Sequence, residues 1–284
     1  MIKLQTPVTD APCKVGISYN DKILLLGSCF TDNIGTLLKN YNFDVCCNPF
    51  GTLYNPASIL SSIKRLCSRE AFVGADCVEI GAGDKRTCSF YHHTSFARHT
   101  QAEFIDNANA ALVEACEFFK SCNKIIITLG TSWCFRHLGK DMIVSNCLKR
   151  NPNEFVREML MVQEVKDMLA EIAELCPRKE FIFTVSPIRH FKDGAHGNQL
   201  SKSTLLLGIN EFLKECHGDY FPAYEIMMDE LRDYRFYAED MCHPSQQAVG
   251  YIGERFLEWA LPAHEQERLK ENIRSWKHGC HISK

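Results

Sequence analysis

Lys22-Ile-Leu-Leu-Leu-Gly-Ser-Cys-Phe30 is the stretch from which the fold of this chain can be predicted. Four consecutive branched aliphatic residues before Gly27 are typical of a strand buried on both faces, as in the middle of a parallel sheet. Gly27 ends that strand, and the segment from Thr31 to Leu38 places apolar side chains at helical spacing. Gly27 and Ser28 are therefore expected on a sharp turn from a strand to a helix.

This turn gives Ser28 two possible roles. At the carboxyl end of a central strand, where open α/β sheets bind their ligands, its hydroxyl would have the free N–H groups of the next helix beside it, which suits a nucleophile. The alternative is that Ser28 is only the N-cap of the helix. The local sequence by itself favours the cap.

The composition indicates which partners, which cellular compartment and which state of the cysteines to expect. The chain has 284 residues, a net charge of −3 and a pI of about 6.4, so we expect neither nucleic acid nor a membrane surface as a partner. Neither a long apolar run nor a signal-like start is visible, and we expect a cytoplasmic protein. The 15 cysteines include no Cys-x-x-Cys pair, which favours free buried thiols in a reducing compartment over disulfides or a zinc site.

Further buried strands alternate with amphipathic helices. Lys124 to Leu129 and Glu180 to Val185 repeat the pattern of the first strand, and a short strand is expected at Phe43 to Cys47. Alternation of this kind predicts βαβ units, and hence a parallel sheet with helices on both faces. We expect one domain over residues 1–284, with a peripheral helix and tail from about residue 262.

The boundaries of the remaining elements are less sharply marked. We predict a helix from about Asn153 to Leu175, a glycine-rich loop from Asp193 to Asn198 and an edge strand from Tyr220 to Ile226. Pro244 suits the first turn of a last helix, which is expected to pack on the sheet.

Several polar residues follow the predicted strands. Gly51 lies in a loop that returns to the edge of the sheet where Ser28 is expected, and its N–H could point at a ligand. His93 belongs to a segment rich in histidine and hydroxyl groups, and it lies either in a pocket or on the surface. Asp240 and His243 come just before the last helix. Cys242-His243 and Cys280-His281 could bind a metal, but a site needs four converging ligands, so no metal is expected.

Three motifs together resemble those of one family. The segments Gly27-Ser-Cys-Phe30, Asn48-Pro-Phe-Gly-Thr52 and Ser186-Pro-Ile-Arg-His190, followed by Asp240-x-x-His243, are similar to the motifs of the GSCFA domain family within the SGNH, or GDSL-like, hydrolases. The resemblance implies a flavodoxin-like three-layer α/β/α sandwich. It further implies Ser28 as nucleophile, His243 as general base and Asp240 as the group that orients the imidazole.

The resemblance also implies an oxyanion hole, with one departure. The backbone N–H groups of Ser28 and Gly51 would donate to the oxyanion, and Asn48 of the same motif belongs to the expected substrate-binding set. The wider superfamily adds an asparagine from a third motif, where this chain has Gly130-Thr131-Ser132-Trp133. A hydroxyl of Thr131 or Ser132 could donate instead. Arg189 and His190 either meet a polar group of the substrate or, for His190, pack against the loop.

Three functions stay open at this point. The first is a serine hydrolase or acyltransferase that acts on a small-molecule or carbohydrate ester, without a cofactor. The second is a catalytically silent module that binds a carbohydrate or a peptide in the same cleft. The third is a metal-dependent hydrolase built from His92, His93 and His243 with nearby cysteines. The sequence leaves the substrate and the oligomeric state undetermined.

Overall fold

A computed structural model describes residues 6–9 and 12–282, with side chains through residue 279. The strands, in chain order, are β1 (Lys22–Gly27), β2 (Asp44–Cys47), β3 (Cys77–Glu79), β4 (Thr87–Ser89), β5 (Lys124–Leu129), β6 (Trp133–His137), β7 (Met142–Val144), β8 (Phe155–Met159), β9 (Glu180–Val185) and β10 (Asp219–Phe221). The α-helices are α1 (Cys29–Asn40), α2 (Pro56–Ser68), α3 (Gln101–Ser121), α4 (Val162–Leu175), α5 (Gly194–Leu213), the short α6 (Ala223–Glu225), α7 (Gln246–Ala260) and α8 (Gln266–Ile282).

Five parallel strands form the central sheet, in the spatial order β2-β1-β5-β9-β10. Counted along the chain, these strands have the order 2-1-3-4-5, which is the flavodoxin-like arrangement. The chain moves outward from β1 in one direction to β2 and then in the other direction to β5. Between β1 and β5 lies the switch point of the sheet, where folds of this type bind their ligands.

Alternating side chains of the sheet enter two separate cores. Leu24 and Leu26 pack with the buried faces of α2, α3, α4 and α5, whereas Ile23 and Leu25 pack with α1 and α7. All four side chains are fully buried, as expected for a strand in the middle of a parallel sheet. The predicted three-layer α/β/α sandwich with a central parallel sheet is therefore confirmed.

Two small antiparallel sheets accompany the central one. β3 pairs with β4, and β6 lies between β7 and β8. The three-stranded sheet is inserted directly after β5, so it rises from the carboxyl edge of the central sheet. No helix in the described part of the chain has both the length and the apolar character needed to span a bilayer.

The sequence-based boundaries were wrong in three places. Residues 155–159, predicted as the start of a helix, form β8, because they pair with β6 and the Arg157 guanidinium stacks on the Trp133 ring, 4.1 Å from its centroid. Residues 194–198, predicted as a loop, are the first turns of α5. The predicted strand to Ile226 ends at Phe221, since Pro222 starts the helical turn of α6.

The turn after β1 requires glycine. Gly27 has φ +148°, and a Cβ there would lie 2.3 Å from the Thr128 carbonyl oxygen of the neighbouring strand. Both backbone groups of Gly27 are also used, since its N–H donates to Asn48 Oδ1 (2.8 Å) and its carbonyl accepts from the Leu53 N–H (2.8 Å). A side chain at this position would force β1 and β5 apart.

We therefore expect Gly27→Ala to destabilise the protein by about 3 kcal/mol or more, from the clash and the backbone strain together. Urea unfolding measures the effect. Gly250→Ala is the matched control, because Gly250 lies inside α7 and a Cβ added to it would meet nothing within 4 Å, so alanine there should stabilise by about 0.5–1 kcal/mol. Equal stability of Gly27→Ala and the wild type would contradict this account of the turn.

Candidate active site

Ser28 occupies the turn that leads from β1 into α1. It stands at the N-cap position, with φ −73° and ψ 178°, yet its side chain makes no capping hydrogen bond. The residue is 1 % exposed, and its Oγ has no hydrogen-bond partner among the described residues. The cap role that the local sequence favoured is therefore not performed by the hydroxyl. A buried hydroxyl without a partner is costly, and a catalytic or ligand-binding role is one explanation for it. Ser58 has such a hydroxyl too, so at Ser28 the cavity is the distinguishing observation.

Ser28 lines a cavity of about 720 Å³ at the carboxyl ends of β1, β5 and β9. Residues from four different segments meet there, including Asn55 before α2, Thr131 after β5, Ser186 after β9 and His243 before α7. The antiparallel sheet of β6 to β8 contributes another wall. The cavity thus lies at the switch point of the central sheet, where the topology predicts a ligand site.

Asp240 and His243 form a pair in the loop before α7. Asp240 Oδ2 lies 2.5 Å from His243 Nδ1, and Asp240 Oδ1 accepts from the N–H groups of Cys242 and His243, each at 2.9 Å. These backbone hydrogen bonds, with the imidazole contact, lower the pKa of Asp240 to about 2. The carboxylate is therefore ionised at neutral pH and orients the ring.

The His243 imidazole reaches the same cavity as Ser28. Its side chain is half exposed, and the structure contains no hydrogen bond between Ser28 Oγ and the ring among the described residues. Two backbone contacts hold its loop, from the Arg189 N–H to the Cys242 carbonyl (3.1 Å) and from the Ala238 N–H to the His243 carbonyl (2.8 Å). Ser28 and His243 thus line one cavity without a hydrogen bond between them, and Asp240 contacts the imidazole from outside the lining residues.

Asn48 has a place in the framework of the turn. Its Oδ1 accepts from the Gly27 N–H, and its Nδ2 donates to Asp32 Oδ1 at 2.7 Å. Both ends of the amide are thereby used inside the fold, and Asn48 is not among the residues that line the cavity. Asn48 therefore fixes the backbone of Gly27, the residue directly before Ser28.

Gly51 and His93 lie beside each other behind this turn. The Gly51 N–H donates to the Asn48 carbonyl at 2.8 Å, and a Cβ on Gly51 would lie 2.4 Å from the Cβ of His93. His93 Nδ1 lies 3.0 Å from Ser95 Oγ. Neither residue is among those that line the cavity. The Gly51 N–H is therefore used within its own turn, and the parts that Gly51 and His93 play at Ser28 stay predictions.

The turn after β5 is tied to α5. Thr131 Oγ1 and Ser201 Oγ lie 3.0 Å apart, and Ser201 Oγ accepts from the Ser132 N–H at 2.8 Å. Thr131 lines the cavity, while Ser132 is fully buried and is not among the lining residues. Of the two hydroxyls considered as replacements for the third-motif asparagine, that of Thr131 is the one at the cavity.

Arg189 and His190 separate at the end of β9. His190 is exposed and lines the cavity. The Arg189 side chain turns away from it, donates to the Tyr224 hydroxyl at 3.3 Å and leaves a buried Nε without a hydrogen-bond partner among the described residues. Although the two residues are neighbours in the sequence, only His190 lines the cavity.

Asn55 and Lys202 are among the lining residues that the sequence analysis missed. Asn55 is the N-cap of α2, and its Oδ1 accepts from the Ser58 N–H at 2.9 Å, which directs that oxygen to the helix. Lys202 is a buried lysine of α5 that donates to the carbonyl oxygens of Gly130 (2.7 Å) and Ser186 (2.8 Å). Two signals in the sequence could have indicated these residues. Asn55 precedes Pro56 at the start of a helix, and Lys202 lies on the same buried helix face as Leu205.

His92 belongs to the core. The ring is fully buried and contacts the rings of Phe50, Phe72, Phe96 and Phe104. Within the described residues no three His, Cys, Asp or Glu side chains are grouped so that they could hold a metal ion, so His92, His93 and His243 do not form the centre that a metal-dependent hydrolase needs. The side chains of Cys280 and His281 lie outside the described residues.

Burial of His92 makes stability depend on pH. Removal from water, and secondarily the Arg65 guanidinium, lowers the pKa of His92 to about 3, against about 6.5 in an unfolded chain. The unfolded state therefore binds the extra proton between these values, and the free energy of unfolding falls as the pH falls through that window.

From pH 7 to pH 5, we expect His92 to account for about 2 kcal/mol of lost stability. The loss should be smaller by that amount in His92→Phe, whose ring suits the aromatic surroundings and does not titrate. Urea unfolding of both proteins at the two pH values measures it. Identical pH dependence in the two proteins would show that His92 is not kept neutral by the fold.

The model of the family described as "GSCFA family" matches residues 22–256, and no curated protein matches the sequence. Among solved structures, the chain is similar to an acetyl xylan esterase (Est2A) from the rumen bacterium Butyrivibrio proteoclasticus, with a TM-score of 0.42 and 12% identity, over 85% of this chain and 63% of that chain.

Two further structures come from Clostridium thermocellum. One is a family 3 carbohydrate esterase, with a TM-score of 0.38 and 11% identity over 88% of this chain and 98% of that chain. The other is a family two carbohydrate esterase in complex with cellohexaose, with a TM-score of 0.38 and 12% identity over 93% of this chain and 67% of that chain.

Proposed function

The chain belongs to the GSCFA family, and from this membership and the cavity we propose that it is a serine-dependent ester hydrolase or acyltransferase acting on a small O-acyl ester, such as an acetyl ester of a carbohydrate. One observation carries the proposal. The buried, unpartnered Ser28 hydroxyl opens into the same cavity as the imidazole that Asp240 orients.

The proposed mechanism starts at Ser28. His243 takes the hydroxyl proton while Ser28 Oγ attacks the ester carbonyl, because a serine hydroxyl is too weak an acid to ionise alone at neutral pH. Asp240 stabilises the imidazolium that forms. The tetrahedral intermediate collapses to an acyl-enzyme on Ser28, and the leaving alcohol receives the proton from His243. Water or a second alcohol then takes the acyl group by the reverse sequence.

The distance between Ser28 and His243 has to close during this reaction. Hydrogen bonds between a nucleophile and its base tighten when substrate binds, so their absence beforehand does not count against the pair. The His243 side chain is half exposed and lies on the loop before α7, so the proposal requires this loop or the ring to move toward Ser28 Oγ.

The oxyanion would bind at the start of α1 and beside Asn55. The first N–H groups of a helix have no partner within the helix, and those of Ser28 and Cys29 are next to the nucleophile. Asn55 Oδ1 is directed to α2 by its cap bond, so its Nδ2 is the group available to the cavity. We propose Asn55 as the side-chain donor that the superfamily takes from its third motif. Gly51 is left out of this set because its N–H is used in a turn.

We expect Ser28→Ala to lose at least about 10⁴-fold in the hydrolysis of 4-nitrophenyl acetate and all labelling by a fluorophosphonate, since removal of the nucleophile abolishes the acyl-enzyme. Ser58→Ala is the control, because Ser58 is equally buried and its Oγ is also unpartnered, but it lies in α2 away from the cavity. A wild-type protein that neither hydrolyses the ester nor reacts with the fluorophosphonate would favour the silent binding module instead.

Asn55→Ser separates the cap from the oxyanion hole. Serine caps a helix about as well as asparagine, so the free energy of unfolding should change by less than about 0.5 kcal/mol. The shorter hydroxyl cannot replace the amide donor, and we expect kcat to fall about 10²-fold or more, the usual loss for one oxyanion donor. An unchanged kcat with unchanged stability would remove Asn55 from the mechanism.

A further inference from the structure

Lys202 is a buried cation for which the fold supplies no anion. The side chain is 2 % exposed, and no carboxylate forms an ion pair with it among the described residues. Its ammonium donates to the Gly130 and Ser186 carbonyl oxygens, at the ends of β5 and β9. An ammonium has three N–H donors, and the third has no acceptor in the described part of the chain. Lys202 also lines the cavity that contains Ser28.

A second cation lies close to this lysine. Arg189 is placed near enough to repel its charge, with the Tyr224 ring between them. Burial and, after it, this repulsion lower the pKa of Lys202 to about 7. An anion beside the ammonium would raise this pKa again, because a counter-charge stabilises the protonated form of a buried amine.

The wall of the cavity as a whole carries a positive net charge. Four lysine and arginine side chains line it, against one carboxylate, that of Asp193. Arg157 forms an ion pair with Asp193, and Arg150 forms one with Glu154 outside the lining. Lys192 and Lys202 are left without an acidic partner among the described residues, so the space above Ser28 is positively charged.

We propose that the ester substrate of this site carries a carboxylate, which binds the Lys202 ammonium at the ends of β5 and β9. One charge and one unused N–H fit a singly charged carboxylate better than a phosphate, which offers more oxygens and more charge. Gly130 directly follows β5, and Ser28 directly follows the neighbouring strand β1, so this carboxylate would bind at the same edge of the sheet as the acyl group. The inference rests on the proposed ester chemistry at Ser28.

Two esters of equal length test it with the full chain. Mono(4-nitrophenyl) succinate ends in a carboxylate, and 4-nitrophenyl butyrate ends in a methyl group. The succinate ester also cyclises to the anhydride without enzyme, so the rate without protein is subtracted for each ester. We expect kcat/KM to favour the succinate ester by about 10- to 100-fold, the range that a hydrogen bond to a charged group contributes. In Lys202→Met the preference should disappear, because KM for the succinate ester rises by about 10- to 100-fold more than KM for the butyrate ester.

Lys124→Met is the matched control. Lys124 is also a buried lysine that donates to a backbone carbonyl, that of Val15, but it lies at the opposite edge of the sheet and pairs with Glu180. Its variant should keep the preference for the succinate ester. Should Lys202→Met fail to fold, the wild-type preference and competitive inhibition by acetate ion decide the question.

In the ester assays the proposal is overturned by an equal or reversed preference in the wild type, by an equal loss on both esters in Lys202→Met, or by a preference that survives in this variant. If the protein has no ester chemistry at Ser28, it will neither hydrolyse the two esters nor react with the fluorophosphonate, and this result is distinct from those just named. Calorimetric titration of succinate into Ser28→Ala then tests the carboxylate site alone. Binding that is lost when Lys202→Met is added supports the site, and no binding overturns it.

Discussion

The hydrogen bond from the Gly27 N–H to the Asn48 side chain is the constraint on which the site depends. It joins the end of β1 to the end of β2 and, through Asp32, to the first turn of α1. With no room for a side chain at Gly27, the chain turns sharply and leaves Ser28 buried but unpartnered. The proposed nucleophile is thus positioned by backbone geometry, while its own hydroxyl makes no hydrogen bond to a described residue.

The topology of the sheet brings the other groups to that hydroxyl. Parallel strands all end at one edge, so the loops after β1, β5 and β9 and the loop before α7 converge although they are far apart in the chain. The same convergence explains the charge of the cavity. Lys202 satisfies the carbonyl groups at two strand ends, and the acidic residue in the lining is already paired with Arg157.

Local patterns failed where a partner from elsewhere in the chain intervened. Residues 155–159 have helical spacing, but pairing with β6 makes them a strand. Asn48 and Gly51 belong to one of the motifs, yet the Asn48 side chain and the Gly51 N–H form hydrogen bonds within the turns in which they lie. Asn55 fits the pattern of a helix N-cap, and Lys202 lies on the buried face of a helix. Their positions in the cavity are what suggest a role in binding or catalysis.

The sequence by itself determined the parallel sheet, the three layers, the turn at Gly27 and the Asp240-x-x-His243 loop, because these follow from hydrophobic period, glycine chemistry and short-range hydrogen bonds. Tertiary structure alone decided which polar groups face the cavity and which are consumed by the framework. The physical reason is that a hydrogen-bond donor serves one acceptor at a time. Whether Gly51, Asn55, Thr131 or Lys202 has one left for a substrate depends on neighbours that no local pattern reveals.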